Sequence, residues 1–112
     1  MDGASARGHL DVLLLGVLAG GPAHGYAIIE ALRDRSGGVF VLQEGSVYPA
    51  LHRLEEEGLL SSRWTDDAGR RRRTYRLTRR GHNALGVRRR AWSEFARAVD
   101  SVLAEPSWAT AN

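Results

Sequence analysis

Residues 67 to 81 read DAGRRRRTYRLTRRG, which places seven arginines in fifteen positions. A guanidinium carries a fixed charge on a planar fork of N–H groups, and carboxylates and phosphates are the anions that match it. The run Arg70, Arg71, Arg72 and Arg73 therefore points to a polyanion. The same stretch also alternates, with Tyr75 and Leu77 to one side and Thr74, Arg76 and Thr78 to the other, which is the period of a strand. A strand both basic and half-apolar suits a hairpin whose inner face packs on a core while its tip lies along phosphates. There the arginines would neutralise phosphates and release condensed counterions, with Tyr75 and Leu77 as anchors. The alternative is a solvated basic hairpin with no partner, and the mutual repulsion of its charges counts against it.

The charge is unevenly placed. Residues 1 to 60 hold four arginines and eight acids, a balance of −4, whereas residues 61 to 112 hold twelve arginines and five acids, a balance of +7. Positive charge gathered on one segment is the footprint of a polyanion partner.

Other chemistries find little support. His9, His24, His52 and His82 show no metal-ligand spacing, and there is no cysteine for a thiolate site or a disulfide. No GxSxG elbow and no phosphate-cradling glycine loop occurs. The expectation is a protein without enzymatic activity, cofactor or metal. The longest apolar stretch, Leu10 to Ala19, is too short to span a bilayer and contains Asp11. With no basic and apolar leader at the N-terminus, a cytoplasmic protein with no membrane partner is expected.

The elements that would position the arginines segment cleanly. Leu10, Leu13, Leu14, Val17 and Leu18 mark the apolar face of a first helix, stopped at Gly20, Gly21 and Pro22. A second helix runs from His24 to about Ser36, with Tyr26, Ile28, Ile29 and Leu32 apolar. GVFVLQE reads as a short extended connection. Ser46 resembles an N-cap, with Pro49 tolerated in the first turn of a third helix that runs to Glu57 and ends at Gly58. LLSSRW and RRRTYRLT form two strands around TDDAG. Thr78 caps a last helix reaching about Glu105, with Pro106 beyond it. The order helix, helix, helix, hairpin, helix is that of a winged helix-turn-helix. The fold class expected is mostly α with a small β-hairpin wing, extended by a long C-terminal helix.

In that arrangement the third helix is expected to read DNA. Val47, Leu51 and Leu54 turn inward, leaving Ser46, Tyr48, Pro49, His52 and Arg53 on its N-terminal or outer side. Free N–H groups and the positive end of the dipole would suit a phosphate there. Arg53 could take a guanine bidentately and His52 could reach a base or a phosphate. Two bland roles remain open: Tyr48 as a core aromatic, and Arg53 paired with Glu56 or Glu57 one turn away. Glu55, Glu56 and Glu57 would repel DNA, so the end of the helix should lean away from the groove.

The last helix carries Leu85, Trp92 and Val99 at seven-residue intervals, with Phe95 and Val102 three residues after the second and third. This is a heptad seam with Arg88 in its first d position. Leu85, Trp92, Phe95, Val99 and Val102 are the expected dimerisation contacts, although the stripe could instead pack on the chain's own core. Indole is an odd filling for a seam. On a two-fold axis Trp92, with Phe95, would flank a flat-walled gap suited to a planar aromatic ligand, unless Trp92 simply plugs the dimer core.

Three segments, LLLGVLAGGPAHGYAIIEAL, GSVYPALHRLEEEGLL and RRRTYRLTRRG, resemble successive signatures of the PadR family of bacterial transcriptional regulators, over about residues 10 to 85. The resemblance implies a homodimeric repressor of the short subgroup, with a winged-helix DNA-binding part and a single C-terminal dimerisation helix. Similar regulators hold flat drugs between tryptophans of their C-terminal helices, which points the same way for Trp92. His24 and Tyr26 match the family's HGY segment and are expected to pack at a helix start. The expected division is a winged-helix domain over residues 1–78 with a flexible stretch at 1–8, a dimerisation helix over 79–105, and a tail over 106–112. The expected partners are a pseudo-palindromic double-stranded DNA operator, a second copy of the chain and a small planar aromatic inducer. Two further classes stay open: a ligand sensor with DNA release as its readout, and a sequence-independent nucleic-acid binder acting through arginine alone.

Overall fold

The computed structural model describes residues 3–106 and residue 108 of the chain. Seven elements follow in the order α1 (Gly3–Leu18), β1 (Ala23–His24), α2 (Gly25–Arg35), α3 (Glu44–Glu56), β2 (Leu60–Asp67), β3 (Arg70–Leu77) and α4 (Arg79–Leu103). Four helices and a three-stranded antiparallel sheet of order β1-β3-β2 make a winged helix-turn-helix, as the order of elements in the sequence implies. Residues 3–8, expected to be flexible, belong to α1.

The core sits where α1, α2 and α3 meet the base of the hairpin. Leu14, Leu15 and Leu18 of α1, Ile28 and Leu32 of α2, Val47, Ala50, Leu51 and Leu54 of α3, and Leu60, Tyr75 and Leu77 of the sheet are all buried, joined by Leu59 and Leu85. The inner face of α1 is rotated from the one the leucine spacing suggested. It consists of Asp11, Leu14, Leu15 and Leu18, while Leu10, Leu13 and Val17 are only partly covered. A helix with apolar residues on two sides cannot bury both against one small core, and packing decides which side goes in.

α3 begins at Glu44, two residues before the expected cap. Gln43, extended at φ −101° and ψ 152°, accepts the backbone N–H groups of Ser46 and Val47 at 3.0 Å each. Ser46 is therefore helical, and Pro49 lies beyond the first turn, so the carbonyl of Gly45 receives no helical N–H. The helix closes at Gly58, φ 80°, where Leu59 N–H reaches the Leu54 carbonyl and Gly58 N–H that of Glu55, both at 3.0 Å. That left-handed C-terminal cap turns the chain into β2 and drops Leu59 onto the core.

The hairpin is longer than its apolar residues indicated. Thr65, Asp66 and Asp67 continue β2, pairing with Arg72, Arg71 and Arg70, and the loop is only Ala68–Gly69. Both loop residues have positive φ, 52° and 79°, as the tight two-residue turn requires. Opposite charges facing each other across the strands favour this register. β1 carries no local signal: its two residues are a strand because β3 supplies the pairing of Ala23 with Tyr75 and His24 with Thr74.

Thr78 caps α4 as expected, its hydroxyl accepting from Gly81 N–H at 3.0 Å while donating to the Gly58 carbonyl at 2.7 Å. One side chain thus ties the end of α3 to the start of α4. α4 ends at Leu103, with Ala104 as its cap. Its 25 residues span about 37 Å at 1.5 Å per residue. The molecule measures 65 × 27 × 25 Å, elongated because α4 outruns the core.

Candidate nucleic-acid interface

The hairpin presents two faces. Leu60, Ser62, Trp64 and Asp66 share one with Leu77, Tyr75, Arg73 and Arg71, following the observed register. At the base this face is core, with Tyr75 and Leu77 buried as their alternation indicated. Further out it becomes a wall of arginine and tryptophan. The other face carries Arg63, Thr65, Arg70, Arg72, Thr74 and Arg76.

Arg70, Arg71 and Arg73 are exposed and Arg72 is half-buried. Their partners differ. Arg73 bonds Ser62 through Nε at 2.8 Å and Glu55 of α3 through Nη2 at 3.3 Å, and Ser62 donates to Glu55 at 2.6 Å. This triad fixes the hairpin to α3. Burial works to raise the Glu55 pKa, but the bonds from Ser62 and Arg73 outweigh it and hold the carboxyl below its ordinary value. Arg72 meets His24 Nε2 and lies 3.8 Å from Asp67. The other nitrogen of His24, Nδ1, accepts the Ala27 N–H at 3.2 Å and caps α2. A neutral imidazole has one acceptor nitrogen, so it satisfies the cap or Arg72 but not both. Arg70 and Arg71 form no ion pair among the described residues.

α3 points an exposed stripe outward: Gly45 and Ser46, then Pro49, His52 and Glu56. Ser46, Pro49 and His52 are thus all accessible. Tyr48 is half-buried, with its ring laid over Gly25. A Cβ at Gly25 would come within 2.6 Å of that ring, so glycine is what allows α2 and α3 to approach here. Glu44 in the first turn puts a negative charge at the helix start, where the sequence reading had placed an anion.

Arg53 leaves this stripe and faces α1. Its Nη1 and Nη2 donate to the two oxygens of Asp11 at 2.9 and 2.7 Å, and Glu57 lies 3.6 Å away. The bonds to Asp11 strengthen its hold on its proton, against burial that works the other way. A bidentate guanine contact would need the same N–H fork. The pairing with Glu57 was legible as an i, i+4 spacing, but the one with Asp11 spans 42 positions and was not. Of the three consecutive glutamates, Glu55 and Glu57 both have arginine partners, which leaves Glu56 on the outward stripe. Asp11 also lies 3.6 Å from Arg88 of α4, whose Nη1 is buried without a hydrogen bond among the described residues. Arg88 therefore faces its own chain.

Together, His24, Tyr26, Glu44, Tyr48, Trp64 and Arg70 to Arg73 surround a concave space of about 670 Å³ between hairpin and helices. Tyr26, expected to pack inward, is more than half exposed at its rim. Sequence reasoning overlooked Trp64, although carrying the alternation of Leu60 and Ser62 two residues further would have put it on the face of Arg71 and Arg73.

The stripe on α4 is uncovered within the chain. Leu85 is buried, Val99 partly so, and Trp92, Phe95 and Val102 are 49, 58 and 82% exposed. Trp92 meets His9 of α1 edge-on at 5.4 Å and Phe95 at 5.8 Å. Beside it His9, Val12, Leu13, Gly16, Phe40, Leu85, Arg89 and Trp92 line an open apolar cavity of about 400 Å³. No helix among the described residues is long and apolar enough to cross a membrane, and no cluster of side chains among them could hold a metal ion.

Comparison with known proteins agrees with this geometry. Residues 14–87 match the model of the transcriptional regulator PadR-like family. The transcriptional regulator Rv3488 of Mycobacterium tuberculosis is 45% identical over 76 residues, covering 68% of each chain. The solved structure of a transcriptional regulator from Clostridium thermocellum superposes with a TM-score of 0.81 at 25% identity, over 93% of this chain and 99% of the other. Bacillus subtilis PadR, solved in complex with operator DNA, matches over 69% of this chain and 44% of its own, with a TM-score of 0.63 and 28% identity. With its fold, its wing and most of its length in agreement, the chain belongs to the PadR family of transcriptional regulators, a family of regulators rather than enzymes.

Proposed function

We propose that this regulator is a homodimeric, sequence-specific repressor, acting in the cytoplasm, that a small planar aromatic molecule releases from a pseudo-palindromic operator. The observation that carries the reading is the shared placement of two surfaces. The start of α3, through Glu44 and Tyr48, and the arginines of the hairpin line the same concave space, and the exposed Ser46, Pro49 and His52 lie on that same N-terminal half of α3. Ser46, Tyr48, Pro49 and His52 would meet bases and nearby phosphates, and Arg70 to Arg73 would follow the backbone. We assign Arg53 to holding α3 on α1 rather than to guanine. In this reading residues 1–78 bind DNA, 79–105 pair the subunits, and 106–112 form a tail that includes the exposed Trp108.

The dimer reading is supported by the uncovered stripe of α4 and by the partly covered Val12 and Leu13 of α1 beside it. A second copy would bury both and bring two α3 helices to a two-fold site. The inducer reading rests on the apolar cavity beside Trp92, since a planar ring there would stack on indole and spread the two α4 helices.

Genomic footprinting of the tagged protein tests the function. Discrete sites with two-fold symmetric half-sites about one helical turn apart are expected. Uniform occupancy that follows only DNA abundance would instead mark a sequence-independent binder. Dissociation of the operator complex by planar aromatic cations, lost in Trp92→Leu while the variant stays dimeric, tests the inducer.

A further inference from the structure

Trp64 stands on β2 directly opposite Arg73, and its indole is 54% exposed. The guanidinium carbon of Arg71 lies 5.2 Å from the ring centroid and that of Arg73 lies 5.8 Å away. One aromatic ring thus gathers two cations that would otherwise repel each other. Arg73 is neutralised from behind by Glu55, whereas Arg71 has the ring and no ion pair among the described residues.

We propose that Trp64 is the positioning residue of the wing: its π-face holds Arg71, and with Glu55 also Arg73, toward the concave space where one sugar-phosphate strand of duplex DNA lies. This inference rests on the DNA-binding reading. Three observations carry it. The indole is more than half exposed, and the residues buried on that face are Leu60, Tyr75 and Leu77 nearer the base. The ring lines the same cavity as Tyr48 and the start of α2, so the arginines it holds face α3 across the space a strand would fill. The face opposite, with Arg63 and Arg76, has no comparable aromatic. A guanidinium held on a ring loses less rotamer freedom when it meets a phosphate, and the ring leaves its N–H edge free to do so.

The experiment measures binding of the full chain to a random-sequence duplex over a range of salt, for wild type, Trp64→Thr, Trp64→Phe, Arg71→Ala and Trp64→Thr/Arg71→Ala. Threonine keeps strand propensity at an exposed site, and a thermal melt close to wild type checks that the variant is folded. Removing the ring is expected to weaken binding about 4- to 25-fold, as cation–π contacts at exposed sites convert to about 2- to 5-fold for each of two arginines. The salt slope should stay as in wild type, because no charge is lost. Arg71→Ala should cost clearly less in the Trp64→Thr background than in wild type, and Trp64→Phe should bind within about twofold of wild type, retaining a π-face. Equal cost of Arg71→Ala in both backgrounds overturns the positioning role, as does a phenylalanine variant no better than threonine. A wild-type chain that fails to bind duplex DNA overturns the DNA-binding reading and this inference together, whereas a binding wild type with additive losses removes only the role of Trp64.

Discussion

Arg53 on α3 grips Asp11 on α1 with both ends of its guanidinium, at 2.9 and 2.7 Å, although the two residues are 42 positions apart. Asp11 is buried within the apolar face of its helix, so its carboxylate depends on Arg53 and, at 3.6 Å, on Arg88 for its partners. Arg53→Ala is expected to destabilise the fold by about 1–3 kcal/mol, the cost of leaving a buried acceptor unmatched. Removing both charges in Asp11→Leu/Arg53→Leu should restore part of that loss. Denaturant titrations of the single and double variants measure it. A fully stable Arg53→Ala that loses discrimination at one operator base would return Arg53 to the DNA surface.

The wing arginines are expected to divide by their partners. Arg70→Ala/Arg71→Ala removes two exposed cations without ion-pair partners among the described residues. It should flatten the dependence of log K on log salt by about two units, near 0.9 per phosphate contact. Binding to operator and to random duplex should fall together. Arg73→Ala should also loosen the hairpin from α3, because Glu55 and Ser62 lose a donor. Salt titrations by fluorescence anisotropy, run with both duplexes, separate these effects.

Two glycines of α4 should respond oppositely. A Cβ at Gly81 would lie 2.0 Å from the Leu59 carbonyl oxygen, a backbone atom that cannot turn aside. Gly81→Ala should therefore cost at least about 1–3 kcal/mol through forced displacement of α4 from the hairpin base. At Gly86 the nearest atom is the end of the Arg90 side chain at 3.7 Å, so Gly86→Ala should be neutral or stabilise by up to about 1 kcal/mol. Thermal melts of the two variants provide the comparison.

Glu55 makes the junction of wing and α3 sensitive to acid. Its folded pKa is lowered, so its contribution to stability is present above the unfolded value of about 4.3 and is lost as pH falls through the folded pKa. Glu55→Gln should be less stable than wild type at pH 7, and the difference should shrink below about pH 4. Chemical denaturation at a series of pH values reads the difference directly. A constant difference across that range would show that the carboxylate charge contributes nothing.

Replacing the exposed seam residues should separate association from folding. Trp92→Glu/Phe95→Glu alters side chains half-exposed within the chain, so the monomer should keep its helical circular dichroism. In the dimer reading two acids per subunit at a buried seam would prevent pairing, and sedimentation should show a species of about 12.3 kDa. Wild-type protein already sedimenting as a monomer would remove the dimer from the proposal.

What the sequence determined by itself was local. Period-2 alternation around Tyr75, the cap at Thr78, the stop at Gly58 and the apolar spacing of Val47, Leu51 and Leu54 each depend on neighbours within a few residues. Each was legible for that reason. The arginine run likewise announced a polyanion surface, because charge density is additive along a chain. The tertiary structure decided what distant partners decide. It chose which of two apolar sides of α1 faces inward, and brought Asp11 to Arg53 and Arg88. It paired the two residues of β1 with β3, a strand too short to announce itself. It also began α3 at Glu44 through a backbone cap on Gln43, where the side-chain preference of Ser46 had suggested otherwise. Most of all it set Trp64 beside Arg71 and Arg73, since cross-strand neighbours follow from register, and register here depends on the tight Ala68–Gly69 turn and on the packing of Leu60 and Leu77 at the other end.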